Sequence, residues 1–323
     1  MSEDEVRDGV SLTSLDSPLF DGSGATKRDL IDYLDAVSER ILPGLRDRPL
    51  SVQRVRPGQA PFMQKNLPKY TPSWVRRVGV WAEASKREIS YGLCDDRRTL
   101  LWFANQRSVE YHTTLTTTAV PDHATHLILD IDPPPGESFP AAVRAAFLVR
   151  QALADAGLAG AVKTSGAKGL HIFVPVDLTT PMDDVAAATR AVAARAELID
   201  PEVATTAYII EDRGGKVFLD STRSWGATIV AAYSPRVRPG APVSFPVSWD
   251  DLDSIKPADF TIHTAPALLD GDPWAERMPA PQTLPADLVE EGHAIPVARV
   301  QAMHEGKRRR AQARKEAEGD PAP

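Results

Sequence analysis

The sequence predicts an α+β fold built around a split βαβ sheet, and two observations predict it. Between residues 124 and 232, short apolar runs rich in Val, Ile and Leu alternate with longer Ala-rich segments in the order β-α-β-β-α-β, which is the RRM-like order. The chain has 323 residues, of which 42% are hydrophobic and 25% charged, as expected for a globular protein with a sizeable core. Many functions use this fold, so the order alone identifies none.

The chain divides into segments of different character. Residues 1–10 are acidic and polar, and the region after residue 271 is rich in proline. We therefore predict a disordered N-terminus at 1–10, an N-terminal α/β subdomain at 11–120, an RRM-like subdomain at 121–275, and a partly disordered C-terminal extension at 276–323 that includes a charged helix in 304–323.

The N-terminal subdomain is predicted to begin with one helix. Apolar residues recur at helical spacing over 26–42, Thr26 is a suitable N-cap, and Pro43-Gly44 is predicted to end the helix. Residues 49–120 are predicted to form short strands and turns, with one turn at Pro57-Gly58.

The RRM-like subdomain is predicted from its apolar runs and turn residues. A buried strand ends at Asp132 and three prolines, one helix is stopped by Gly157, and a tight turn joins the two middle strands. The predicted strands are 126–131, 161–164, 170–176 and 217–219, with 228–232 also extended, and the predicted helices are 139–156 and 182–198.

Composition excludes some classes of site and location. A single cysteine, Cys94, excludes an intramolecular disulfide and a cysteine-rich zinc site. No apolar run reaches the roughly 18 residues needed to span a bilayer, and the polar start is unlike a signal peptide, so we expect a cytoplasmic protein.

The charge is unevenly distributed. The net charge is −7, yet Lys27 to Arg107 contains 16 Lys and Arg against 9 Asp and Glu. Such a segment can present a basic surface to phosphates. A solvated surface without a partner explains the same count.

Three aspartates lie at strand ends. Asp130 and Asp132 are two residues apart on one predicted strand, so they share a face, and Asp220 ends another strand. Adjacent carboxylates repel unless a cation compensates them, and Mg²⁺ or Mn²⁺ prefers carboxylate oxygen. The three therefore predict a two-metal site, although a bare Asp-x-Asp also forms turns.

A glycine-rich turn and several arginines suggest a phosphate site. The turn 165–169 and the histidine after it supply anion donors, namely Ser165, Lys168 and His171, and glycines let backbone N–H groups close around an anion. Further downstream are Arg223, Arg236 and Arg238, and arginine binds phosphate oxygens with a forked geometry. Read singly, these are equally a hairpin turn and surface charges. Together with the aspartates they predict a triphosphate site beside bound metal.

Five sequence blocks resemble the polymerase domain of bacterial ligase D, in the archaeo-eukaryotic primase superfamily. The blocks are FMQKNLP, LLWFANQRSVEYH, HLILDIDPP, KTSGAKGLHIFVP and KVFLDSTRSWGATIVAAYSPRVRPGAPVSFPVSW, in the order of the family and within residues 10–275. The resemblance implies a primase-type catalytic core with an RRM-like sheet and an active site that uses Mn²⁺ or Mg²⁺, two ions in all. It further implies gap filling and primer extension in non-homologous end joining.

The resemblance assigns roles by matched position. It places the metal and catalysis on the three aspartates, the nucleotide phosphates on the turn residues and the arginines, and His112 near the incoming nucleotide. Lys27, Phe62, Met63 and Lys65 match the DNA-binding positions, with Phe62 stacking on template bases. Two residues depart from the family: Ser17 stands where a lysine usually holds a 5′-phosphate, and Met63 replaces an aromatic residue.

We therefore predict a template-dependent nucleotidyltransferase, a primase-polymerase that extends primers or fills short gaps with NTPs or dNTPs in DNA repair such as non-homologous end joining or excision repair. Its expected partners are primed or gapped DNA, a separate ATP-dependent DNA ligase and Ku, with no membrane association and a location at the nucleoid. One alternative is a non-catalytic nucleic-acid-binding module, which leaves the three aspartates unexplained. A phosphohydrolase is another, and the arginines and the aromatic template position speak against it.

Overall fold

The computed structural model describes residues 5–82, 86–136, 139–224 and 228–297. The N-terminal half contains the elements β1 Glu5–Arg7, β2 Val10–Leu12, α1 Lys27–Ala36, α2 Ser38–Leu45, β3 Leu50–Arg56, β4 Gln59–Gln64, β5 Arg77–Ala82, β6 Arg87–Gly92, α3 Arg97–Asn105 and β7 Ser108–Thr114. The remainder contains β8 His126–Asp132, α4 Phe139–Asp155, β9 Ala161–Thr164, β10 Leu170–Pro175, α5 Met182–Ile199, β11 Ala204–Thr205, β12 Val217–Asp220, β13 Thr228–Val230, β14 Pro246–Val247, α6 Pro273–Arg277 and α7 Ala286–Ala294.

The first sheet has the predicted split βαβ topology. Its strand order is β11-β12-β8-β10-β9-β14, and β8 lies antiparallel between β10 and β12. The four strands of the β-α-β-β-α-β unit are thus arranged in the order fourth, first, third, second. This places the ends of β8 and β12 that carry the aspartates side by side.

Alternation along β8 separates a packing face from a polar face. Leu127, Leu129 and Ile131 are fully buried, and α4 and α5 both pack against this strand. Successive side chains of a strand point to opposite faces. Asp130 and Asp132 therefore lie on the face away from the helices.

The second sheet has the order β13-β7-β3-β6-β5, and β4 pairs with β3. The segment 228–232 was predicted to be extended within the RRM-like subdomain, but β13 pairs with β7 of the second sheet. The sequence of a short extended segment does not indicate which strand it will pair with. The sheet to which it belongs is therefore known only from the structure.

The N-terminal region differs from prediction in three places. Residues 5–12, partly predicted to be disordered, form the β1–β2 hairpin. The helix predicted over 26–42 is two helices that meet at Val37, and Pro43 lies inside α2 instead of ending it. Thr26 is the N-cap of α1, as predicted.

The helix α3 was not predicted in the segment of strands and turns. Its N-cap is Asp96, whose side chain accepts a hydrogen bond from the N–H of Thr99 at 2.7 Å. An aspartate before an apolar segment is a helix-start signal, so the sequence contained the information. The Pro57-Gly58 turn between β3 and β4 is as predicted.

The C-terminal extension packs on the RRM-like subdomain through α7 and α5. Arg195 of α5 donates to Glu291 at 2.5 Å, and a Cβ on Gly292 would come within 1.8 Å of the carbonyl oxygen of Ala187. The charged helix predicted in 304–323 falls outside the described residues. Of the helices in the described ranges, none is long and apolar enough to cross a bilayer.

Candidate active site

The three strand-end aspartates lie together on the polar face of the first sheet. Asp130 and Asp220 are directly paired across β8 and β12, and Asp132 is paired with Phe218. Directly opposed residues have Cβ atoms roughly 5 Å apart. Asp130 and Asp220 are almost completely buried, at 7% and 5% exposure, whereas Asp132 is exposed.

The guanidinium of Arg223 lies between two of these carboxylates. Its Nε is 3.3 Å from Oδ2 of Asp130 and 3.2 Å from Oδ2 of Asp220. The other oxygen of Asp220 accepts hydrogen bonds from the N–H and hydroxyl of Thr222, at 2.8 and 2.6 Å. Arg223, predicted to contact triphosphate, thus neutralises part of the carboxylate charge.

Negative charge remains in excess around the three aspartates. Burial raises the pKa of Asp130. Although Asp132 as a whole residue is exposed, partial burial of its carboxyl group and the like charges of Asp130 and Asp220 raise its pKa to about 7. Within the described ranges, no three His, Cys, Asp or Glu side chains are already arranged around a common metal position. The donor set nevertheless suits a hard divalent cation, because it is all oxygen and its repulsion is what such an ion relieves.

A row of polar residues continues from the aspartates across the sheet. His171 of β10 is paired with Asp130 and also with Lys163 of β9. Nε2 of His171 is 3.2 Å from Oδ1 of Asp130, and its Nδ1 is 2.8 Å from Nζ of Lys163. Lys163 is fully buried and also donates to Ser244 Oγ at 2.6 Å. His171, predicted to bind nucleotide phosphate, therefore contacts one of the three strand-end aspartates.

The turn 165–169 is closed by its own hydrogen bonds. Oγ of Ser165 accepts from the N–H groups of Ala167 and Gly169, both at 3.2 Å. Gly166 has a φ of +68°, and a Cβ on Gly169 would lie 2.0 Å from the carbonyl oxygen of Ile131. The glycines allow a close approach to β8 that other residues would prevent. Lys168 is exposed at the tip of the turn.

Arg236 and Arg238, both predicted to bind triphosphate, do not share a face. The N–H of Arg238 donates to the carbonyl oxygen of Arg236 at 2.9 Å, so the chain turns there. Arg236 points inward, where its guanidinium donates to the carbonyl oxygen of Ser165. Arg238 is exposed and lines a neighbouring cleft.

His112, on β7, lies beside Arg236. Its Nε2 is 2.8 Å from Oε2 of Glu110, and Nε of Arg236 is 3.1 Å from that oxygen. The second sheet therefore contributes His112 to a site whose other parts, the turn 165–169 and the three aspartates, belong to the first sheet.

The predicted DNA-binding residues of β4 are accessible. Phe62 packs under the guanidinium groups of Arg54 and Arg56, at 5.8 and 4.9 Å from the ring centre. Met63 is 45% exposed, and Lys65 is exposed. A cleft of about 790 Å³ adjoins this strand, lined among others by Ser17, Arg56, Gly58, Gln59 and Arg238.

Lys27, by contrast, is only 3% exposed. Its Nζ donates to the carbonyl oxygen of Thr13 and to Oδ1 of Asn105, the latter at 2.6 Å. Burial and the charge of Arg107 lower the pKa of Lys27 to about 8. The structure thus gives Lys27 bonds within the protein and little surface for DNA.

Three charged residues at the site were not identified from the sequence. They are Lys163, Glu110 and Arg213; the last lies 3.9 Å from the ring centre of Phe218 and lowers the pKa of Asp132 by its charge, against the larger effect of burial. Lys163 and Glu110 fall inside two of the resemblance blocks, which was the only signal for them. No spacing rule separates them from surface charges.

The chain is similar to known DNA-repair proteins over most of its length. The family model for the LigD primase-polymerase domain matches residues 26–274. The bifunctional non-homologous end joining protein LigD of Bacillus subtilis is 33% identical over 264 residues, which cover 80% of this chain and 42% of that protein. The multifunctional non-homologous end joining DNA repair protein LigD of Mycobacterium tuberculosis is 32% identical over 255 residues, covering 76% and 33%.

The chain is also similar to a solved structure, and the match covers almost the whole length of that structure. The polymerase domain from Mycobacterium tuberculosis ligase D in complex with DNA has a TM-score of 0.74 and 31% identity, and the match covers 84% of this chain and 99% of that one. The chain spans less than half the length of the two curated relatives, and its match is with their polymerase domain.

Proposed function

Because this chain belongs to the LigD primase-polymerase domain family, we propose that it is a template-dependent nucleotidyltransferase. It extends primers and fills short gaps with NTPs or dNTPs during DNA repair by non-homologous end joining. The observation that carries this proposal is the direct pairing of Asp130 with Asp220 on neighbouring strands of the sheet, with Asp132 beside them.

The metal dependence of LigD polymerase domains fits the oxygen donors that the three aspartates provide. Asp130, Asp132 and Asp220 would hold two Mn²⁺ or Mg²⁺ ions. The ions would lower the pKa of the primer 3′-hydroxyl and stabilise the pyrophosphate leaving group. Arg223 would release the two carboxylates that it bridges and pair with the triphosphate instead.

The remaining site residues orient the nucleotide. Backbone N–H groups of the turn 165–169 and the exposed Lys168 would bind phosphate oxygens, and Arg236 stands against that turn. His112 would contact the incoming nucleotide from the second sheet. Nε2 of His171 lies 3.2 Å from Oδ1 of Asp130 and so orients that carboxylate, which supports a role in placing the metal beyond the predicted phosphate contact.

DNA would run along β4 and the adjoining cleft. Phe62 offers a ring for stacking on template bases, and the exposed Arg56 beside it offers a cation for the backbone. The similar structure is of a domain in complex with DNA, which supports this proposal. A separate DNA ligase and Ku are the proposed partners for sealing and end binding, and the proposed location is the nucleoid.

Replacing the paired aspartates tests the function. We expect Asp130→Asn and Asp220→Asn each to lower Mn²⁺-dependent incorporation of labelled NTP into a primed template by roughly a hundredfold or more, since even residues that only support a metal ligand are worth 10–100-fold. The measurement is single-turnover primer extension, with circular dichroism to verify folding. Asp253→Asn, an exposed carboxylate outside the site, is the matched control and should remain active.

Two outcomes would overturn the proposal. Full incorporation by a folded Asp130→Asn, Asp220→Asn double variant would exclude the two-metal role. DNA binding by the unaltered protein with no incorporation under any divalent metal would favour the non-catalytic nucleic-acid-binding module.

A further inference from the structure

Glu110 of β7 is a buried carboxylate that connects the second sheet to the segment 233–238 at the site. Its side chain is surrounded by donors: Oε2 accepts from Nε2 of His112 at 2.8 Å and lies 3.1 Å from Nε of Arg236, and Oε1 accepts from the N–H of Val237 at 2.8 Å. Glu110 is only 3% exposed. One side chain thus contacts two residues that the proposed function places at the nucleotide.

The carboxylate of Glu110 is ionised in this environment. Burial raises its pKa, but the hydrogen bond from His112, the charge of Arg236 and the N–H of Val237 together lower the pKa to about 2. A buried charge is tolerated only when it is paired and hydrogen-bonded. The contacts therefore depend on a negative charge and not only on a polar group of this size.

The contacts of Glu110 fix the orientation of both neighbours. Because the carboxylate can only accept, the Nε2 of His112 must carry the proton, and its Nδ1 is the ring atom left for a ligand. Arg236 is held at Nε by Glu110 while its terminal nitrogen donates to the carbonyl oxygen of Ser165. The histidine and the arginine are thereby fixed relative to the phosphate turn.

We propose that Glu110 is a positioning residue that presents His112 and Arg236 to the incoming nucleotide in one preformed arrangement. This inference rests on the proposed function, because it assigns the nucleotide to these two residues. Glu110 itself touches neither nucleotide nor metal. A site prepared in this way spares the ordering of two side chains when the nucleotide binds.

The test is Glu110→Gln, which keeps the size of the side chain and removes its charge. The glutamine amide offers one acceptor oxygen in place of two and turns an NH₂ group toward the donors of its neighbours. We expect the KM for NTP and the Kd of a non-reactive α,β-methylene NTP analogue to rise roughly tenfold or more, the factor given by loss of one charge-assisted hydrogen bond. The kcat and the Kd for primed DNA, measured by anisotropy without nucleotide, should change little.

Two further variants separate positioning from general stability. Glu197→Gln is the matched control, because Glu197 also accepts several hydrogen bonds, from Thr205 and Thr206, but lies away from the nucleotide. It should leave nucleotide binding unchanged. In a His112→Ala, Arg236→Ala background, Glu110→Gln should cause almost no additional loss of analogue binding, since the residues through which it acts are gone.

The possible failures are distinguishable. Unchanged KM and analogue Kd in folded Glu110→Gln would overturn the inference while the unaltered protein still incorporates nucleotide. An equal loss in the unaltered and the double-alanine background would also overturn it, because Glu110 would then act by another route. If the unaltered protein binds the analogue but incorporates nothing, the proposed function fails, and analogue binding by Glu110→Gln still decides the inference. Absence of analogue binding by the unaltered protein would overturn both.

Discussion

Lys163, His171 and Asp130 form a chain of contacts whose hydrogen-bond directions follow from their chemistry. Burial, with the charges of Lys163 and Arg236, lowers the pKa of His171 well below its ordinary value, so the ring is neutral and has one N–H. An ionised Asp130 can only accept, which places that N–H on Nε2. Nδ1 must then accept from Lys163. The buried lysine thereby fixes the ring that orients a proposed metal ligand.

The burial of Lys27 predicts a pH dependence of stability. The pKa of Lys27 is about 8 in the folded protein and about 10.4 in an unfolded chain. Between these values the unfolded chain binds more protons, so the contribution of Lys27 to the free energy of unfolding rises with pH. The cost of burying the charged form is fully present below the lower value and disappears above the higher one.

We therefore expect the stability of the unaltered protein, relative to Lys27→Met, to improve between about pH 7 and about pH 10. Urea unfolding of both proteins at the two pH values measures this difference. A difference that is independent of pH would show that Lys27 has the same pKa in both states.

Residue chemistry at strand ends made part of the site predictable. Asp130, Asp132 and Asp220 follow apolar runs, and the structure brings Asp130 and Asp220 face to face. Glu110 and Lys163 could not be identified in this way, because their partners are remote in sequence. The bond from Val237 to Glu110 spans 127 residues, and that from Lys163 to Ser244 spans 81. Such pairs are defined only by the folded chain.

At the scale of elements, the periodic segments were predictable and the short ones were not. The helices α4 and α5 and the strands β8, β9, β10 and β12 lie within a few residues of their predicted positions, because their apolar patterns are long or end at clear turn residues. The short strand β13 was given the wrong sheet, since its sequence does not encode a partner. Pro43 was taken for a stop, yet α2 continues to Leu45, although a proline at this position removes one N–H donor from the helix.

The close approach of the phosphate turn to β8 predicts a strict glycine requirement at Gly169. An added Cβ would lie 2.0 Å from the carbonyl oxygen of Ile131, next to Asp130, so the strands must move apart. We expect Gly169→Ala to lower the free energy of unfolding by about 1–3 kcal/mol, as overpacking does, and to weaken NTP binding. Thermal unfolding and the KM for NTP measure the two effects.

The control for this substitution is Gly44→Ala. Gly44 lies in α2 and has no atom within 4 Å of an added Cβ, so alanine should be neutral or stabilise the helix by up to about 1 kcal/mol. Equal effects of the two substitutions on stability would contradict the close-approach argument.

At the scale of the whole molecule, the segment 233–238 connects the two sheets around the site. The hydroxyl of Ser234 accepts from the N–H of Tyr111 on β7 at 2.9 Å, and Arg236 donates to Ser165 beside β10. The hydroxyl of Tyr33 on α1 donates to the carbonyl oxygen of Tyr233 at 2.8 Å. The proposed nucleotide site is therefore assembled from both sheets, and it forms only when both are folded.

The last prediction concerns the DNA end that the molecule prefers. Ser17 lines the cleft beside β4 and stands at the position where relatives are expected to have a lysine. Lys27 is bonded within the protein, and Arg107 donates to the carbonyl oxygen of Pro18, next to Ser17. Lys27 and Arg107 already have hydrogen-bond acceptors within the protein, so they add little to the binding free energy of a 5′-phosphate at a gap. We expect a 5′-phosphate to improve the KM for gapped DNA by less than roughly tenfold, the factor that one charge-assisted hydrogen bond provides. Primer extension on gapped duplexes with and without the phosphate measures this, and Ser17→Lys should increase the dependence. A strong dependence of the KM on the 5′-phosphate in the unaltered protein would contradict this prediction. It would mean that Lys27 and Arg107 exchange their internal hydrogen bonds for the phosphate, and that Ser17 does not weaken binding of the 5′-phosphate.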